Sequence, residues 1–100
     1  MGTFDEDISG WNISNARNMS RMFCGAESFN GDLSRWNVSN VRSMEVMFYE
    51  ARAFNSDISR WNVSNVRNME GMFKDAISFN RSNTSNWDIP NGTSTYRMFD

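Results

Sequence analysis

Histidine is absent from the 100 residues of this chain, and cysteine and proline occur once each. Without an imidazole, a Gly-rich phosphate loop, or a nucleophile and base that its pattern would bring together, catalysis lacks its usual groups, and the chain is expected not to be an enzyme. The lone Cys24 excludes an internal disulfide framework. No apolar stretch approaches the ~20 residues a spanning helix needs. The opening MGTFDEDISG lacks the basic region and apolar core of an export signal, so no membrane insertion is expected. Ten basic residues, spread singly, stand against twelve acidic ones for a net charge of -2. That distribution offers no basic patch to a phosphate backbone, and no nucleic-acid partner is expected.

What the chain does have is packing material. At 39% apolar and 14% aromatic residues it is not a disordered sequence, and its length suits one domain over residues 1–100. It is also repetitive: RWNVSNVR stands at 35–42 and again at 60–67, with GWNISNAR at 10–17. Aligned on that octet, residues 4–26, 29–51 and 54–76 superimpose without a gap, dividing the chain into units 4–28, 29–53 and 54–78 and a degenerate fourth, 79–100. A fixed period of this size predicts a solenoid, because a unit that cannot bury its own apolar side must stack on the next.

Within the second unit Leu33, Trp36 and Val38 predict a short strand that turns Trp36 and Val38 inward and Asn37 outward. Val41, Met44, Met47 and Phe48 then step by threes, which predicts a short helix over about 41–50 capped by Ser39 or Asn40. On its outer face Arg42 would pair with Glu45, and Arg67 with Glu70 in the next copy. The expectation is an α/β solenoid of about four coils, each a strand plus a helix. Equivalent residues would form ladders: Trp11, Trp36 and Trp61; Met19, Met44 and Met69; Phe23, Phe48 and Phe73.

The pattern F-N-x-D-I/L-S-x-W-N-V-S-N-V-x-x-M-x-x-M-F-x-x-A, seen over residues 4–76, resembles the leucine-rich-repeat class and, more narrowly, the BspA-like bacterial and algal surface-protein repeat of mycoplasma-lipoprotein type. The fourth unit departs from it, with an extra residue between Phe79 and Trp87, Pro90 in place of serine, Gly92 in place of valine and Thr95 in place of the first methionine. The resemblance implies an extracellular or cell-surface adhesion role and brings no catalytic residue with it.

The candidate sites are few. The outward positions Asn12, Asn37 and Asn62, with Arg35 and Arg60 beside them, form the candidate binding face for a protein or glycan partner. Trp11, Trp36, Trp61 and Trp87 would make a sugar-stacking platform if turned outward, but their alternation with Asn12, Asn37, Asn62 and Asp88 argues inward. Asp7, Asp32 and Asp57 would align in a column, read as turn caps since one carboxylate per coil is thin for a calcium ion with six or more oxygen ligands. No metal or cofactor is expected. N-x-S/T sequons begin at Asn12, Asn18, Asn37, Asn62, Asn80, Asn83 and Asn91, which are candidate glycosylation sites in a secreted protein. Cys24 aligns with Tyr49 and Lys74, a variable position.

Two functional readings follow. One is a non-catalytic binding module. The other is a segment of a fibre or filament in which end-to-end stacking of coils is the function. The apolar residues Phe4, Ile8, Trp11 and Ile13 of the first coil are expected to make that end the adhesive one, whereas Pro90 and Gly92 mark the fourth coil as a cap or break.

Overall fold

A computed structural model describes residues 6–100; Phe4, one of the residues expected to make the first coil's end adhesive, lies outside them. The expected α/β solenoid, with a strand and a helix in every coil, is not what this chain forms. Among the described residues there is no α-helix and no sheet. Extended pairing is limited to the isolated parallel bridges Asn18–Ser43, Ser43–Asn68 and Asn68–Ser94. The one helical element is a 3-10 helix at Arg81–Thr84, whose N-cap Asn80 accepts the Ser82 N–H. With a radius of gyration of 12.2 Å, the chain has the compactness of an ordinary domain of its size, about 13 Å.

The backbone hydrogen bonds give the physical reason. Over the segment expected to be helical, Met47, Tyr49 and Ala51 donate to the carbonyls of Met44, Val46 and Phe48, three residues back. An α-helix requires donors four residues on. The alternate N–H groups, of Met44, Val46, Phe48 and Glu50, leave the unit altogether and reach the carbonyls of Asn68, Glu70, Met72 and Lys74 in the next. Each repeat is thus a run of tight turns whose donors point alternately inward along the chain and across to a neighbour. Left-handed residues make the turns possible: Arg21, Val46, Gly71 and Arg97 at one repeat position, Gly25, Glu50 and Asp75 at another, all with positive φ. The apolar steps of three reflect turn closure, and they imitate a helical stripe because both bring every third residue to one side. The helix cap at Ser39 or Asn40 and the helical pairs Arg42–Glu45 and Arg67–Glu70 go with the helix. Among the described residues the ion pairs are Arg52–Glu50, Lys74–Asp75 and Arg97–Asp100, all at the surface, where such pairs contribute little.

The phenylalanine ladder does form. Phe23, Phe48, Phe73 and Phe99 stack in near-parallel planes at centroid separations of 5.4, 5.5 and 5.6 Å. A second column, Phe29, Phe54 and Phe79, interleaves with it, with Phe48–Phe54 at 4.1 Å and Phe73–Phe79 at 4.0 Å. Met44, Met47, Met69 and Met72 are fully buried, as is each Val or Leu of the two central octets and its flank. Among the described residues no polar or charged side chain is buried and no buried polar side-chain atom lacks a partner. The interior is therefore held by apolar burial and the exterior by turns.

Candidate functional site

The first asparagine of each octet is a turn cap. Asn12 Oδ1 accepts from the Ser14 backbone N–H at 3.1 Å and its hydroxyl at 2.7 Å. Asn37 does the same with Ser39 at 3.0 and 2.6 Å, and Asn62 accepts the Ser64 N–H at 3.0 Å. An Asx turn of this kind fixes the side chain as firmly as the backbone it closes. All three asparagines are exposed, and their Nδ2 groups have no partner among the described residues. The site therefore offers one rigid, outward-facing amide donor pair per repeat.

Arg35 and Arg60 are exposed as well. With Ser34 and Asp57 they line a hollow of about 200 Å³. The aspartates of the column cap turns in the same way: the Ser9, Ser34 and Ser59 N–H groups donate to Asp7, Asp32 and Asp57 at 3.0, 2.9 and 2.9 Å. Hydrogen bonds from Ser9 backbone and hydroxyl hold the Asp7 carboxyl below the usual carboxylate range. Those from the Ser34 and Ser59 hydroxyls and backbone do so for Asp32 and Asp57, aided to a lesser degree by Arg35 and Arg60. Among the described residues no three Cys, Asp or Glu side chains converge as a cation site requires.

The tryptophans divide. Trp36, Trp61 and Trp87 are buried, and each indole Nε1 donates to the carbonyl of the preceding repeat: Ile8 at 3.0 Å, Leu33 at 2.9 Å and Ile58 at 2.9 Å. They are not available as a sugar platform. Trp11, expected inward by the same alternation, is 50% exposed. The described residues hold no repeat on that side to supply a carbonyl or to cover the ring. The periodicity alone identified inward-facing tryptophans; it did not identify their role as staples between repeats. Two further sets of staples join the repeats. Asn40 and Asn65 donate to Ser14 O and Ser39 O at 2.8 and 2.7 Å, and Asn30 and Asn55 accept from the N–H groups of Asn55 and Asn80 at 2.8 Å. Their recurrence at a fixed period was the available signal, because a polar residue repeated in register must meet the same polar surroundings each time.

Of the sequon asparagines, Asn12, Asn18, Asn37, Asn62, Asn80 and Asn91 are exposed. Asn83 is half-buried, its Nδ2 turned toward Asn55 Oδ1 and Ser56 O at 3.5 and 3.4 Å. Cys24 is half-buried too.

A chain built from successive units that pair through the same residues each time is a repeat protein. The family model described as "Mycoplasma protein of unknown function, DUF285" matches residues 1–100, and the chain belongs to that family. Comparison with curated proteins and with solved structures finds no match. No helix among the described residues is long and apolar enough to cross a membrane.

Proposed function

We propose that this chain is a non-catalytic binding module of BspA-like kind, acting outside the cell or on its surface and meeting a protein or glycan through the face of Asn12, Asn37 and Asn62 with Arg35 and Arg60. One observation carries the reading: each asparagine has its oxygen fixed in a turn and its amide nitrogen exposed and unused. A row of donors held in place by the fold loses little side-chain entropy on binding. Carbonyls of an extended peptide or hydroxyls of a sugar chain are the acceptors that such a row suits. Donors repeated along one face also let individually weak contacts add through a single ligand.

The test is the triple variant Asn12→Asp, Asn37→Asp, Asn62→Asp. A carboxylate keeps the turn, as Asp7, Asp32 and Asp57 do, but replaces each donor with an acceptor. The parent chain should bind members of a neutral-glycan array or a panel of cell-surface ectodomains, and the variant should fold equally well and bind about tenfold or more weakly. Undiminished binding by the variant would remove this face from the function, and no binding by the parent in either panel would remove the reading itself.

A further inference from the structure

Glycine follows asparagine twice in this chain, at Asn30–Gly31 and Asn91–Gly92. Such a step is prone to spontaneous loss of the side-chain amide, because glycine has no Cβ to keep its nitrogen away from the asparagine Cγ. Both asparagines are exposed, so access to water does not separate them. Their tethers do. Asn30 Oδ1 accepts from Asn55 N–H at 2.8 Å and Ser56 Oγ at 3.0 Å, and its backbone carbonyl accepts from Ser56 Oγ at 3.2 Å. Side chain and backbone of Asn30 are thus both held to the next repeat, and swinging Cγ onto the Gly31 nitrogen breaks those bonds. Asn91 aligns with Asn40 and Asn65, whose Nδ2 groups donate to the preceding repeat, but its own side chain has no hydrogen-bond partner among the described residues. Where Val41 and Val66 N–H close turns onto Val38 and Val63 O, the fourth repeat closes its turn one residue later, from Thr93 N–H to Pro90 O at 3.1 Å. Asn91 and Gly92 therefore take the two central positions of a β-turn, and Gly92 N–H donates to nothing among the described residues.

We propose that Asn91 is a site of spontaneous deamidation in the folded protein and that Asn30 is not. The Gly92 nitrogen, its proton lost to hydroxide, forms a bond to Asn91 Cγ. The Cγ–Nδ2 bond then breaks, and Nδ2 takes a proton from water and leaves as ammonia, closing a succinimide ring. Water adds to either ring carbonyl and the C–N bond there breaks, which returns a proton to the nitrogen and leaves aspartate or isoaspartate. Nothing is oxidised or reduced, and water and hydroxide are the only co-reactants. Gly92 borders an open hollow of about 240 Å³ together with Ser64, Arg67 and Thr93, so both reach its nitrogen. Conversion exchanges a neutral amide for a carboxylate, and isoaspartate lengthens the backbone inside the turn that Thr93 closes. It also removes Nδ2, the acceptor atom of the Asn91-Gly92-Thr93 sequon. The asparagine face is spared: Asn12, Asn37 and Asn62 precede Ile13, Val38 and Val63, whose branched side chains shield the attacking nitrogen, and their own oxygens are fixed in turns.

Peptide mass mapping of the 100-residue chain, held at mildly alkaline pH both folded and in urea, tests this, with fragment spectra that distinguish aspartate from isoaspartate. In the folded chain Asn91 should convert about tenfold or more faster than Asn30, with isoaspartate among the products. In urea, where the tethers are gone, Asn30 should convert at a rate comparable to Asn91. Gly92→Val restores the residue of the other repeats at a place where a Cβ meets nothing within 4 Å, and it should keep the fold and abolish conversion at Asn91. If urea melts show that this variant does not fold, Gly92→Ala, which adds only the methyl, takes its place and should slow the conversion. An Asn91 that stays an amide in the folded chain, an Asn30 that converts as fast as Asn91 there or stays slow in urea, aspartate as the sole product, or undiminished conversion in the folded glycine variant would each overturn the proposal.

Discussion

Val46 and Gly71 occupy the same position of successive repeats, both in the left-handed region at φ +47° and +61°, and Val46 Cγ1 lies 3.1 Å from where a Cβ on Gly71 would sit. A β-branched residue with positive φ is strained, by an amount of order 1–3 kcal/mol. Glycine relieves that strain but adds about 0.5–1 kcal/mol of unfolded-state entropy. Val46→Gly should therefore stabilise the fold by about 1 kcal/mol, read from urea melts. Gly71→Ala should destabilise it by a similar amount, and by less in the Val46→Gly background, where the methyl meets no valine. Equal costs in both backgrounds would mean that this contact does not couple the repeats.

Phe48 sits between Phe23 and Phe73 and against Phe54, with no exposure to solvent. Phe48→Ala should cost about 3–5 kcal/mol, a large part of the stability of a small domain. Coincident denaturation curves for parent and mutant would contradict the stacked column.

Trp61→Phe removes the indole donor to Leu33 O and leaves a gap beside Trp87, which stacks on it at 6.2 Å. A loss of about 2–4 kcal/mol is expected from the hydrogen bond and the lost volume together. Trp11→Phe, at the exposed position, should change stability by less than about 0.5 kcal/mol. The contrast between the two melts measures the staple, since the chemistry of the substitution is the same.

Acid should weaken the fold through the aspartate caps. The carboxyls of Asp7, Asp32 and Asp57 are lowered in the folded state by hydrogen bonds from Ser9, Ser34 and Ser59. A depressed folded value means the stabilisation is present above the unfolded carboxylate value, about 3.9, and is lost as pH falls through the folded one. The melting temperature should thus hold steady from neutrality to about pH 5 and fall below about pH 4. Asp7→Asn, Asp32→Asn, Asp57→Asn should flatten that decline, because an amide caps the turn without titrating. An unchanged acid limb in the triple variant would place the sensitivity elsewhere.

By itself the sequence determined the period and most of the core, since a pattern recurring every 25 residues, RWNVSNVR and the methionine that follows it, requires Trp36 and Trp61, Val38 and Val63, Met44 and Met69 to meet equivalent surroundings. Burial follows from that repetition and needs no knowledge of backbone conformation. The conformation itself was decided only in the tertiary structure. Apolar residues three apart suit a helix or a run of turns equally, and the choice rests on whether alternate N–H groups bond along the chain or across to the next repeat. Those acceptors, such as Asn68 O for Met44 N–H, lie a whole repeat away and leave no local trace. Neither do the left-handed conformations of Val46 and Glu50, since nothing in their residue types announces a positive φ. The same distinction separates Trp11 from Trp36: the octets are near copies, but among the described residues Trp36 is buried with its indole on the Ile8 carbonyl and Trp11 is half exposed, a difference the octet itself does not carry.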